Sequence, residues 1–253
     1  MSFTIIILFI FGLIFGSFLN SLIYRFYHNI SMWGRSFCPN CKCELKIVDL
    51  IPLFSFIILK CKCRYCLQKI SYQYFFIELT IGFLFVLAFL QHQIIDLLLL
   101  RNLFFILVLV FIFVFDLKYY LILDRVIWPA FFIAMVINLY LGFGIWNLVL
   151  GASIGCGFFL VQYLISSGQW IGLGDVKLGA LIGVMFGWQL TLLIIAIAYV
   201  LGGLTAIILL LSKKKKFGEI LPMGTFLALA SIIALLWGEQ ILYYYINILG
   251  WQM

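Results

Sequence analysis

The sequence predicts an all-helical polytopic membrane protein, with about eight transmembrane helices and a small polar insert between helices one and two. The first observation is composition: 66% of the 253 residues are hydrophobic and only 10% are charged, whereas about a quarter of the residues of a soluble domain are charged. The second is that the uncharged residues form long runs, and about 20 apolar residues suffice to cross a bilayer.

The eight helices are assigned in chain order to these runs: residues 1–24, residues 79–95, residues 97–115 (interrupted only by Arg101), two helices within 126–174, two within 178–212, and one within about 220–249 with Glu239 near its outer end. Glycines are expected to end helices inside the two long runs, at Gly142–Gly144 and near Gly187. Glycine pairs at a spacing of four predict helices that pack closely within the chain: Gly12/Gly16, Gly151/Gly155, Gly179/Gly183 and Gly183/Gly187.

Lys and Arg predict the orientation. If the N-terminus lies outside, the cytoplasmic loops are 25–74, 116–125, 166–177 and 213–219, and they hold 15 of the 16 basic residues. This asymmetry follows the positive-inside rule. The net charge of +7 is therefore interpreted as topology and contact with anionic membrane lipids, and not as nucleic-acid binding. The sequence makes no prediction of oligomeric state.

The chain divides into helix one at residues 1–24, a cytoplasmic cysteine-rich insert at 25–74, and a seven-helix transmembrane core at 75–253. The insert carries two CxxC motifs, Cys38–Cys41 and Cys63–Cys66. An insert this short buries too little core to fold alone, and four thiolates on one structural zinc would supply about 10–16 kcal/mol. Free thiols and disulfides are the alternatives, and Cys43 and Cys61 are two further candidate ligands.

Two carboxylates are predicted at the cytoplasmic ends of apolar helices: Asp116 ends helix three and Asp175 opens helix six. Ionisable residues at this depth are costly and often functional. If they face each other, one can act as base on a water and the other as acid toward a carbonyl. Packing and helix capping are the alternative explanations. Asp124 is expected to favour a helix start or pair with Arg125, and Glu78 to open helix two, with a role in the site left open.

In order along the chain, these features resemble the bacterial prepilin peptidase family, also called type IV leader peptidases. The motifs that carry the resemblance are Gly16–Asn20 with Tyr24-Arg25, Cys38-Pro39-x-Cys41, Ile51-Pro52-Leu53, Cys63-Arg64-x-Cys66, Ile70-Ser71 with Glu78, Asp116-Leu117 before Asp124, Gly172-x-Gly174-Asp175-Val176-Lys177-Leu178, and Leu221–Leu227. The resemblance covers nearly the whole chain. There are two departures: Ile122-Leu123-Asp124 stands where Ile-Pro-Asp is usual, and Cys43 and Cys61 exceed the four-cysteine pattern.

The resemblance implies a membrane aspartic peptidase of the bacterial cytoplasmic membrane, with Asp116 and Asp175 as its catalytic pair and residues 75–253 as its peptidase core. It implies that a short basic leader is removed from type IV prepilins or pseudopilins. It also implies N-methylation of the new terminus from S-adenosylmethionine, associated with the insert. The rival hypotheses are an archaeal preflagellin peptidase, which is expected to lack the long insert, and a non-enzymatic scaffold or transporter that docks through a zinc knuckle.

Overall fold

The computed structural model of the protein describes residues 2–214, 216, 219 and 221–248. Within these residues the chain forms eight α-helices: α1 (Ser2–Tyr27), α2 (Phe54–Ile58), α3 (Tyr72–His92), α4 (Leu97–Tyr119), α5 (Asp124–Tyr140), α6 (Ile145–Ile165), α7 (Leu173–Leu211) and α8 (Met223–Ile248). A 3₁₀ turn covers Ile47–Leu50, and the described residues contain isolated β-bridges but no strand. The prediction of an all-helical protein is confirmed.

Six of these helices are long and apolar enough to cross a membrane: α1, α3, α4, α6, α7 and α8. Helix α5 is shorter, with 17 residues. Helix α7 has 39 residues, or about 58 Å at 1.5 Å per residue, which is nearly twice the thickness of a hydrocarbon core. Its backbone leaves the helical conformation at Gly187, where φ is 75° and ψ is 176°. The positive φ favours glycine, so α7 consists of two helical halves that break where the sequence predicted.

Side chains of neighbouring helices satisfy the backbone groups that this break frees. The Asn138 amide nitrogen donates to the carbonyl oxygen of Val184 at 2.7 Å. On the other side of the break, the backbone N–H of Trp188 donates to the Asn147 side-chain oxygen at 3.2 Å. An unpaired backbone group is costly in an apolar environment, so these two asparagines stabilise the bend.

The start of α3 differs from the prediction. The second membrane helix was expected to begin near Glu78, but α3 begins at Tyr72. The Ser71 hydroxyl caps the helix by accepting a hydrogen bond from the backbone N–H of Gln73, and such a cap stabilises a helix start. Glu78 therefore lies inside the helix, where it is buried.

The chain divides into two compact units, of which the first ends at Ile95 and the second begins at Asp96. In the first unit α1 packs on α3, and a Cβ atom at Gly16 would lie 2.6 Å from the Glu78 Cα atom. In the second unit α7 packs on α5, α6 and α8, and α4 on α8. A Cβ atom at Gly155 would overlap the backbone of Gly179. The glycine pairs thus bring helix backbones together within the chain, as their spacing predicted.

Candidate functional site

Asp116 lies in the last turn of α4, where its side chain is buried. Its Oδ2 atom accepts two hydrogen bonds from Thr225, one from the backbone N–H at 2.6 Å and one from the hydroxyl at 3.0 Å. Thr225 is the third residue of α8, so its N–H belongs to the helix start that lacks an intrahelical acceptor. The helix dipole also favours a carboxylate at this end of α8. The start of the last helix therefore holds the Asp116 carboxyl in place.

Gly224 allows α8 to approach this carboxyl. A Cβ atom at Gly224 would lie 2.9 Å from Asp116 Oδ2 and 2.8 Å from Ile122 Cδ1. The motif at residues 221–227 was recognised in the sequence without a role for its members. The structure shows that its glycine makes room for Asp116 and that its threonine binds it.

Asp175 is the third residue of α7, in the first turn of that helix. Its Oδ2 atom accepts a hydrogen bond from the backbone N–H of Gly172 at 3.2 Å, as an acidic residue at this position of a helix commonly does. The preceding Gly174 has little room, because a Cβ atom there would lie 3.0 Å from the Ile122 Cβ atom. The local sequence Gly-x-Gly-Asp thus both starts the helix and positions its carboxyl group.

Both aspartates lie in the second unit. Ile122 packs beside the backbone of both Gly174 and Gly224, which border the two carboxyl groups. The hydrogen bonds to both carboxyl groups go to Oδ2, and within the described residues neither Oδ1 atom accepts one. The arrangement leaves one oxygen of each carboxyl group available to a water or a substrate.

The other two carboxylates singled out in the sequence have structural partners. Asp124 opens α5 and accepts from the Lys177 ammonium at 2.7 and 2.8 Å, so its ion pair is with Lys177 and not with the neighbouring Arg125. Glu78 accepts a hydrogen bond at 2.9 Å from the backbone N–H of Leu53. This bond attaches the insert to α3 within the first unit.

Four of the cysteines converge in the insert. The sulfur atoms of Cys38, Cys41, Cys63 and Cys66 all lie within 4.8 Å of one another. The Cys38 and Cys66 sulfurs are 3.9 Å apart, and in a tetrahedral zinc site with 2.3 Å bonds the sulfurs lie about 3.8 Å apart. These sulfurs belong to free cysteines. The donor set and its spacing therefore fit a four-thiolate zinc ion.

Two similar turns bring these sulfurs together. The backbone N–H of Cys38 donates to the carbonyl of Cys43, and the N–H of Cys63 donates to the carbonyl of Gln68, both at 2.9 Å. Cys43 is thus the counterpart of Gln68, and it takes part in the turn through its backbone. Cys43 and Cys61 are both outside the group of four sulfurs. Cys43 is outside the group because it occupies the position of Gln68 in the repeated turn. The spacing of the cysteines alone did not reveal this correspondence.

Neighbouring groups give the thiols of Cys38 and Cys41 different pKa values. Burial opposes ionisation of the Cys38 thiol, but hydrogen bonds from the backbone amides of Cys41 and Asn40 outweigh it and lower the pKa of Cys38 to about 7. At Cys41, the amide of Cys43 favours the thiolate, whereas desolvation and the adjacent thiols raise the pKa to about 12. One sulfur thus ionises readily near neutral pH, and a bound cation would be needed to hold several thiolates side by side.

Comparisons with known proteins give consistent results along the chain. A family described as "Bacterial Peptidase A24 N-terminal domain" matches residues 10–92, and one described as "Type IV leader peptidase family" matches residues 103–207. Curated relatives named "Prepilin leader peptidase/N-methyltransferase" include a Bacillus subtilis (strain 168) protein that is 33% identical, with 95% of this chain and 97% of the relative aligned. An Aeromonas hydrophila relative of that name is 30% identical over 95% of this chain and 93% of its own length.

A Pseudomonas putida relative with the same name is 28% identical over 94% of this chain and 92% of its own length. No solved structure matches the chain. The apolar helices and these relatives together indicate a multi-pass membrane protein. The two family matches fall in the two structural units, with both aspartates in the second match and the four clustered cysteines in the first.

Proposed function

The chain belongs to the type IV leader peptidase family, and we propose that it removes the short basic leader from type IV prepilins or pseudopilins by using Asp116 and Asp175 as the catalytic pair. The observation that carries this proposal is the arrangement of the two carboxyl groups. Ile122 packs beside the glycines that border both carboxyl groups, each carboxyl group is fixed through Oδ2, and each has an Oδ1 atom without a partner in the described part of the chain.

The pair performs acid–base chemistry on a peptide bond. Two adjacent carboxyl groups share one proton, because two charges in a poorly solvated place repel each other. The ionised group removes a proton from a water whose oxygen bonds to the scissile carbonyl carbon, while the protonated group donates to the carbonyl oxygen. Collapse of the tetrahedral intermediate breaks the C–N bond, and the amine leaves with a proton. The products are the leader, with a new carboxyl group, and the mature amine terminus.

We place this reaction at the cytoplasmic face, with the N-terminus of the chain outside. The basis is the distribution of basic residues, since 15 of the 16 fall in loops on one side of that topology and the cytoplasmic side is enriched in Lys and Arg. Asp116 ends one apolar helix and Asp175 begins another. A prepilin with an apolar segment in the membrane and a basic leader in the cytoplasm would present its cleavage site at this level.

The cysteine-rich insert, residues 25–74, has a second role in the proposal. A structural zinc held by Cys38, Cys41, Cys63 and Cys66 would fix its two turns, since four thiolates leave the ion no open position for catalysis. The names of the relatives add N-methyltransferase activity. S-adenosylmethionine would supply the methyl group that is transferred to the mature amine terminus.

Leader release from a purified prepilin tests the peptidase proposal and separates it from a scaffold or transporter. Purified wild-type protein in lipid nanodiscs is incubated with the prepilin, and the products are identified by mass spectrometry. The expected result is one cut that releases the basic leader, with no cut by the Asp175→Asn protein. An intact prepilin in the presence of folded wild-type protein that has its metal would favour the scaffold hypothesis.

A further inference from the structure

The first unit contains a cavity of about 250 Å³ between the C-terminal half of α1 and the insert. Its lining mixes hydroxyl, cationic and apolar side chains, among them Ser17, Ser21, Arg25, Met32, Ser36 and Pro52. Side chains four residues apart lie on one face of a helix, so Ser17, Ser21 and Arg25 form a polar stripe on α1. The cavity lies entirely within the first unit, whereas both aspartates belong to the second.

Arg25 gives this cavity its chemical character. The residue is only 6% exposed, and its guanidinium donates to the backbone carbonyls of Ser31, Gly34 and Arg35 at 2.6, 3.0 and 2.8 Å. A guanidinium has five N–H donors, so two of those of Arg25 have no acceptor within the residues that the structure describes. Within the described residues no carboxylate pairs with Arg25, although a buried charge without a counter-charge is costly. The cavity therefore has a cation with spare donors, and the nearest buried carboxylate, Glu78, is bound by Ser17 and Leu53 rather than by Arg25.

We propose that this cavity binds the amino-acid end of S-adenosylmethionine, with Arg25 pairing to its carboxylate; this inference rests on the methyl-transfer part of the proposed function. The planar guanidinium suits a carboxylate, and charge-assisted hydrogen bonds of this kind are strong. The hydroxyls of Ser21 and Ser36 are acceptors for the amino group of the donor. The volume is below the roughly 300–1,000 Å³ of a complete ligand site, so the cavity takes the amino-acid end, and the nucleoside lies at its mouth.

The decisive comparison uses two ligands that differ in the carboxylate. S-adenosylmethionine and decarboxylated S-adenosylmethionine are titrated into the full-length protein in nanodiscs of zwitterionic lipid, and binding is measured by equilibrium dialysis. Loss of the carboxylate should weaken binding to the wild-type protein about tenfold or more, as for a hydrogen bond to a charged group. Arg25→Gln should bind both ligands with the same, weak affinity. Equal affinities for the wild-type protein, or a preference that persists in Arg25→Gln, would overturn the assignment.

A second variant guards against misfolding, since Arg25 also orders the backbone at residues 31–35. Ser21→Leu fills the cavity without touching the guanidinium bonds and should reduce S-adenosylmethionine binding about tenfold. Ser153→Leu on the exposed face of α6 is the matched control and should bind as the wild type does. Unchanged binding by Ser21→Leu would contradict the proposed location.

Two further competition measurements show whether the cavity binds a carboxylate or a phosphate. Inorganic phosphate, or anionic lipid in the nanodisc, should not displace S-adenosylmethionine at equal concentration, and displacement by either would indicate a phosphate site. Leader cleavage by the wild-type protein is measured in the same preparation. Cleavage without donor binding rejects the cavity assignment and leaves the peptidase intact, whereas donor binding without cleavage counts against the peptidase alone.

Discussion

Thr225 holds one of the two proposed catalytic carboxyl groups, and it is the residue whose role can be isolated most cleanly. It donates to Asp116 Oδ2 through both its backbone N–H and its hydroxyl. Substitution by serine preserves both bonds, whereas substitution by valine keeps the shape and removes the hydroxyl bond. A hydrogen bond to a charged group contributes about 1.5–3 kcal/mol, so its loss is expected to matter for the orientation and charge of Asp116.

Thr225→Val is therefore expected to lower the leader-cleavage rate about tenfold, and Thr225→Ser to retain most of it. Initial rates with purified variants in nanodiscs measure the effect. Thr205→Val is the matched control, because the Thr205 hydroxyl bonds only carbonyls of its own helix. If Thr225→Val cleaves as fast as Thr205→Val, the Thr225 hydroxyl does not support the proposed site.

For individual residues, the sequence indicated which carboxylates to consider but not which groups bind them. Asp116 and Asp175 were evident because a carboxylate in or beside an apolar run is costly. The contact between Asp116 and Thr225 joins residues 109 positions apart, and no local periodicity encodes it. Ile122 was noted only as part of a motif, since its packing beside Gly174 and Gly224 depends on how three elements meet.

Among the elements, the two cysteine turns make the clearest prediction. The purified protein should contain about one zinc ion, and Cys41→Ser should lose it, because removing one of four ligands weakens a structural site strongly. Cys43→Ser should keep the metal, since the Cys43 side chain is outside the cluster. Elemental analysis of proteins purified under reducing conditions measures this. Equal zinc content in the two variants, or none in the wild type, would contradict the assignment.

The contact between α6 and α7 makes a second prediction at the scale of elements. A Cβ atom at Gly155 would overlap the backbone of Gly179, whereas one at Gly157, on the same helix, would meet nothing within 4 Å. Gly155→Val should therefore lower the thermal unfolding temperature by about 5 °C or more, consistent with an overpacking cost of about 1–3 kcal/mol. Gly157→Val should change it little. Equal shifts for the two variants would show that the helices do not meet at Gly155.

Helix breaks could be predicted from glycine, and helix starts could not always be predicted from charge. Gly142–Gly144 and Gly187 end helical segments as expected, because glycine accepts the backbone angles that these bends require. Tyr72 to Tyr74 were assigned to the insert, residues 25–74, with the charged residues before them. The Ser71 cap and the packing of α1 against α3 extend that helix toward its N-terminus. Tertiary packing therefore determines where α3 begins, which the run of uncharged residues alone did not show.

For the whole molecule, the proposed topology places alternate loops on opposite sides of the membrane. The loop after Gly142 is expected outside, and the loop at Ser167 inside with both aspartates. An epitope inserted after Gly142 should be bound by antibody on intact spheroplasts, and one inserted after Ser167 only after permeabilisation. The reverse pattern would contradict the proposed orientation.

Arg101 is the basic residue outside the predicted cytoplasmic loops, and its contacts explain how the fold accommodates it. Its guanidinium donates to Asn138 Oδ1 at 3.1 Å and lies over the rings of Phe105 and Phe143. Asn138 in turn binds the carbonyl of Val184 beside the break in α7. Arg101 thus supports the bend of α7, a role that its place in the sequence did not suggest.

Asp116 and Asp175 are proposed to act together as the peptidase pair. This proposal is tested most directly by the rates at which Asp116→Asn, Asp175→Asn and Asp124→Asn proteins release the leader from the same prepilin. Each of the first two should lose at least about a hundredfold in rate, because each removes a general acid or base. Asp124→Asn breaks only the exposed ion pair with Lys177, which contributes about 1 kcal/mol or less, and it should lose no more than about fivefold. Near-normal cleavage by either Asp116→Asn or Asp175→Asn would show that the two aspartates are not the catalytic pair.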